Sequence, residues 1–149
     1  MRDAAFAREV IDGERFMTLA TADEDGRPWA SPVWFGHDGY REFVWVSHQE
    51  VQHSRNIEAR PDIAIVIFDS KQTPGDGRAV YMAATAGRSE HGLDAFNRRG
   101  REQGLREWTE ADVSGDARLR LYCATVTEWS VLREDRDIRI PVDVGAPTP

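Results

Sequence analysis

Apolar residues Phe6, Val10 and Ile11 recur at helical spacing, which predicts a short helix over Ala4–Ile11 ended by Gly13. Beyond it the period changes. Phe16–Thr21 fits a strand, and Asp25-Gly26 is a hairpin signal, because glycine accepts the positive φ of a primed turn. Pro28–Phe35 reads as the return strand, with Trp29, Ser31, Val33 and Phe35 on one face. Pro32 removes a ladder donor and marks that strand as an edge or a bulge. Asp38-Gly39 offers a second turn into a strand over Glu42–Ser47.

Glu50–Ala59 is polar and helical, and Pro61 stops it, since the residue before proline avoids the α region. Ile63–Phe68 is almost wholly apolar, the mark of a strand covered on both faces. A loop over Asp69–Gly77 precedes a strand over Arg78–Arg88, whose alanines imply tight packing. His91–Gln103 reads as a helix, basic at Arg98, Arg99 and Arg101, and Glu107–Gly115 as a loop carrying Trp108. Leu119–Leu132 is the last long strand. About six strands follow one another through hairpins, a pattern that favours an antiparallel barrel with flanking helices over a doubly wound sheet. One domain over 1–140 and a flexible tail over 141–149 complete the expectation.

Composition narrows the function. The net charge of −7 argues against a nucleic-acid partner, which calls for a basic footprint. No apolar run is long enough to cross a membrane as a helix, and the N-terminal residues lack a signal peptide's apolar stretch, so the cytoplasm is the expected compartment. The one cysteine, Cys123, lies in an apolar stretch and reads as a small buried hydrophobe. The four histidines, His37, His48, His53 and His91, show no metal-ligand spacing, so no metal site is expected. No nucleophile elbow or phosphate-binding loop is present.

Two stretches carry a resemblance. Thr18-Leu-Ala-Thr21 is followed by Asp25-Gly26-Arg27-Pro28 and Ser31-Pro32-Val33-Trp34-Phe35. Val46-Ser47 is followed by His53-Ser54-Arg55-Asn56-Ile57, Arg60-Pro61-Asp62 and Ile63–Phe68. In order and spacing these resemble the flavin-binding split-barrel superfamily of pyridoxamine 5′-phosphate oxidase. The resemblance implies a six-stranded antiparallel split barrel, a homodimer with two FMN sites at the subunit interface, and hydride transfer to or from a small organic substrate. It places Ser31, Val33, Trp34 and Ser47 along the flavin ring, and His53, Arg55 and Asn56 at its phosphate.

A phosphate calls for charge-assisted donors, which the Arg55 guanidinium and the Asn56 amide are suited to give. At His53 the family usually carries a lysine, and a histidine is mostly neutral at pH 7. That departure keeps other ligands open. The lysine-poor, arginine-rich composition is that of a high-GC genome, where members of this superfamily also use a deazaflavin coenzyme. A non-catalytic flavin- or haem-binding protein is the third reading, since histidine can ligate haem iron. The C-terminal region shows no counterpart of the arginines that hold substrate phosphate in the vitamin-processing oxidase.

Overall fold

The computed structural model describes residues 2–134 and 136–145. Helix α1 (Ala4–Gly13) starts where the Asp3 carboxylate accepts from the Phe6 N–H, and it buries Ala7, Val10 and Ile11. Strands β1 (Phe16–Ala22) and β2 (Pro28–Trp34) form the first hairpin, closed at Gly26 with φ 83°. Strands β3 (Gly36–Asp38) and β4 (Glu42–His48) form the second. Its turn is centred on Gly39 and Tyr40, both with positive φ, as a primed turn requires. Helix α2 (Gln52–Ala59) leads into the hairpin of β5 (Asp62–Phe68) and β6 (Ala79–Arg88). Helix α3 (Leu93–Glu102), a short 3-10 turn (Glu110–Val113), β7 (Leu119–Leu132) and β8 (Arg139–Val142) follow.

Seven strands run in the order β2-β1-β5-β6-β7-β4-β3, with β8 added on β7, and every pairing is antiparallel. The ends of this order, β2 and β3, are consecutive in sequence and separated by the fully buried Phe35. The sheet therefore curls until its edges meet at one residue, while no ladder joins them. That is a split barrel. A bulge in β7, where Thr127 is passed over between the partners of Ala83 and Ala84, adds to the bend.

The expectation of six strands is corrected to eight. The three-residue β3 is too short to show a period, and β8 carries Pro141, which reads as a breaker but sits where β8 is an edge. The expected tail is corrected over its first part. Arg139–Val142 pair with β7, and Val144 is buried with its carbonyl accepting from the Arg8 guanidinium at 2.8 Å. The last residues of that expectation, 146–149, lie outside the described residues. A further correction concerns β5. It alternates, with Ile63, Ile65 and Ile67 buried and Ala64 and Phe68 exposed, so within one chain only one of its faces is covered.

Two apolar clusters result. The larger fills the barrel with Met17, Leu19, Phe35, Phe43, Trp45, Ile65 and Val126 among others, each contributing roughly 1.5–3 kcal/mol on burial. The smaller lies outside the barrel, where Ala95 and Phe96 of α3 pack on Val44 and Leu121. Gly36 permits this approach. A Cβ there would stand 2.8 Å from the Ala95 carbonyl oxygen and 3.1 Å from the Phe96 Cα. Among the described residues no helix is long and apolar enough to cross a membrane.

Candidate functional site

Among the described residues β3 pairs with Glu42–Val44 alone, so the second half of β4 has β7 on one side and no strand on the other. Across this gap stands β2. The slot between them widens into a cavity of about 470 Å³. Pro32, Val33 and Trp34 form one wall, Val46 and Ser47 the other, with His53 at the end of the slot. Helix α3 and the segment after it add Phe96, Asn97, Leu105, Arg106 and Trp108.

The aromatic side chains are arranged edge to face. Phe96 meets Trp34 at 4.8 Å between centroids and Trp108 at 5.8 Å, both close to perpendicular. The Trp34 indole N–H donates to Gln103 Oε1 at 2.7 Å, which fixes the ring against the end of α3. The segment is anchored at its other end by Arg120, which donates to the carbonyls of Gly115 at 2.7 Å and Leu119 at 2.8 Å.

The polar end of the slot holds a hydrogen bond of 2.9 Å between Ser47 Oγ and His53 Nε2. Burial holds His53 below the usual histidine range, so at neutral pH it is uncharged. A neutral imidazole and a hydroxyl can each donate or accept, so the pair adapts to either polarity in a ligand.

Of the seven residues the sequence singles out, Val33, Trp34, Ser47 and His53 come together at the cavity. Ser31 lies farther along β2 and accepts from the Trp29 indole N–H at 3.1 Å. Arg55 is on the exposed face of α2. Asn56 points inward: it is 2% exposed, donates to Thr21 Oγ1 at 3.0 Å and accepts from Gln52 Nε2 at 2.7 Å. The expected grouping of His53, Arg55 and Asn56 is thus dispersed to three surroundings. A helix turns about 100° per residue, so adjacent residues cannot share one face.

Sequence reading missed the part of the site supplied by α3 and its following segment, namely Phe96, Asn97, Leu105 and Arg106. The available signal was Trp108, a large aromatic in an otherwise polar stretch. Elsewhere, burial and nearby Glu42 push the Cys123 thiol up to about 11, so it is an inert hydrophobe at neutral pH. No group of histidine, cysteine and carboxylate side chains among the described residues is placed to hold a metal ion.

Comparison with known proteins assigns the class. The family model described as pyridoxamine 5′-phosphate oxidase matches residues 4–133, and the chain belongs to that family. A pyridoxine/pyridoxamine 5′-phosphate oxidase of Rubrobacter xylanophilus is 38% identical over 81 residues, 54% of this chain and 36% of that protein. The chain thus matches about a third of the length of that curated relative. Among solved structures, a heme binding protein from Mycobacterium smegmatis superposes with a TM-score of 0.67 at 22% identity, over 87% of this chain and 54% of the other. An F420 reductase superposes with a TM-score of 0.57 at 21% identity, over 83% and 94%. At these identities the two structures share the fold.

Proposed function

We propose that the protein is a homodimeric oxidoreductase that takes the tricyclic ring of FMN in the slot between β2 and β4 and exchanges hydride with a small organic substrate. The observation that carries this reading is the unpaired edge of β4 at Ser47, opposite the apolar wall of Val33 and Trp34. A flat heteroaromatic ring needs apolar faces and hydrogen bonds along its rim, and a free strand edge supplies unused backbone groups for that rim. Bound FMN supplies two-electron transfer through its ring. The chain's own residues exclude water with Trp34, Phe96 and Trp108, and offer the Ser47 hydroxyl, oriented by His53, to a polar atom of the ring or substrate.

The dimer is supported by the outer face of the sheet. Ala20, Ala64 and Ala83 stand side by side across β1, β5 and β6, flanked by exposed Phe16 and Phe68. Exposed apolar residues of this kind, on a concave face that also carries Arg41, Glu128 and Arg139, support an interface, and a second copy would cover the face of β5 whose apolar sequence calls for burial.

A deazaflavin coenzyme is the second reading, favoured by one observation. A neutral His53 suits a singly charged phosphodiester better than the doubly charged phosphate of FMN. Titration of the purified protein with FMN and with the deazaflavin, followed by fluorescence, tests both. Binding of FMN at or below about 1 μM supports the first reading. Preference for the deazaflavin replaces it with the second. Binding of neither overturns both, and a Soret band on adding haemin would then direct the site to haem.

A further inference from the structure

The helix α2 residues expected to grip an anion are dispersed, yet the cavity has a cation at its mouth. Arg106 is the charged side chain among the described residues lining it, apart from the neutral His53. We propose that Arg106 is the anion-recognising residue of this cavity, and that its ligand is a planar aromatic molecule carrying one anionic group. The inference rests on the reading of the slot as a ring site, but not on the ring being a flavin.

Four observations support it. The Arg106 guanidinium carbon lies over the Trp108 ring, 4.1 Å from its centroid, a cation–π contact that holds the charge at the mouth of the cavity. Its contacts within the chain run through Nη1 alone, to the Glu107 carbonyl and to Asp112 Oδ2, both at 3.4 Å, at the long limit of a hydrogen bond. Nε and Nη2 make no hydrogen bond to the described residues, so the fork that matches a carboxylate or phosphate is open. The platform beneath is fixed, because Asn97 holds the Trp108 backbone by two hydrogen bonds of 2.8 Å. In a chain of net charge −7, an anionic ligand needs such a local cation; among the described residues no carboxylate lines the cavity, and Asp112, the ion-pair partner of Arg106, meets its Nη1 from outside that lining.

The anion has two sources of the same chemistry, the coenzyme's phosphate or a substrate's carboxylate. Calorimetric titration of the full chain separates them, using 2-naphthoate against 2-naphthalenemethanol, and FMN against riboflavin. The wild type should prefer naphthoate to the alcohol by about 10- to 100-fold, the range of a hydrogen bond to a charged group. Arg106→Gln should abolish that preference and leave the alcohol's affinity unchanged. Arg106→Lys should retain part of it, and Arg55→Gln all of it.

If Arg106→Gln also removes a preference for FMN over riboflavin, the anion is the coenzyme's. If FMN is unaffected while naphthoate is lost, the anion is the substrate's. If neither FMN nor riboflavin binds but naphthoate follows Arg106, the coenzyme reading fails and this one stands. A wild type without preference, or a preference that survives Arg106→Gln or is lost in Arg55→Gln, overturns it.

Discussion

Asn97 holds Trp108 by both of its backbone polar groups: the Asn97 amide N–H donates to the Trp108 carbonyl and Asn97 Oδ1 accepts from the Trp108 N–H, each at 2.8 Å. The segment between α3 and β7 is otherwise largely exposed, with Val113 its buried apolar anchor. Replacing Asn97 with alanine removes both bonds and should cost about 1–3 kcal/mol. Urea unfolding checks the cost. Greater acrylamide quenching of tryptophan fluorescence in the folded variant checks that the segment has loosened over the cavity.

Asn56 ties α2 to β1 through Thr21 from a buried position. Asn56→Ala should lower stability by about 1–3 kcal/mol, since it removes the donor to Thr21 Oγ1, which keeps only its own bond to the Trp29 carbonyl, and the acceptor of the Gln52 amide. Ligand affinity per folded molecule should stay within about twofold of wild type. A large loss of affinity at full folding, measured by titration well below the melting temperature, would place Asn56 in the site after all.

Two half-buried histidines, His37 and His53, favour folding in their neutral form. Desolvation lowers the pKa of His37, opposed by its bond to Asp12 and reinforced by Arg98 and Arg99, and desolvation lowers that of His53. The unfolded chain therefore binds more protons than the native one between the folded pKa values and the unfolded value near 6.5. Stability should be full above about pH 6.5 and decline as pH falls through that window, then level off with respect to these groups. Denaturation at a series of pH values should show this decline, and His53→Gln should reduce it. An unchanged pH dependence in both His37→Gln and His53→Gln would count against this origin.

Gly36→Ala places a methyl against the backbone of α3. The atoms it would meet belong to the backbone of Ala95 and Phe96 and cannot rotate away, so the variant should lose about 1–3 kcal/mol by overpacking. Thermal unfolding measures the loss. Since α3 carries Phe96 into the cavity, a weakened ligand affinity should accompany it.

Phe68→Glu introduces a charge at the edge of the exposed apolar face. Sedimentation of the wild type should give about twice the 16.9 kDa chain mass, and the variant should shift toward one chain. A monomeric wild type would remove the dimer from the proposal.

The local parts of the fold were legible in the sequence because their causes are local. Asp25-Gly26, Pro61 and the alternation through Phe16–Thr21 each act within a few residues, and the corresponding elements lie where they point. What failed depends on distant partners. The inward turn of Asn56 requires Thr21, and the aromatic lining from Phe96 exists only because Gly36 lets α3 settle against the sheet. Four of the seven named residues meet at the cavity: Val33, Trp34 and Ser47 because β2 and β4 are positioned by the closing of the sheet at Phe35, and His53 because the face that α2 gives it is turned to the slot, whereas Arg55 and Asn56 take other faces.

Strand β7 lies between β6 on one side and β4 and β8 on the other, and it pairs Glu42 with Thr125 and Arg88 with Tyr122. During synthesis the β1–β2 and β5–β6 hairpins can join through β1 and β5, but the β3–β4 hairpin stays apart from that sheet, and both keep open edges until residues 119–132 leave the ribosome. Closure is then a late, long-range event, of the kind that slows folding and leaves strand edges open to other chains meanwhile. The vulnerable species in a cell is therefore the chain in which β6 is made and β7 is not yet inserted, and variants that delay insertion of β7 should aggregate out of proportion to their loss of equilibrium stability.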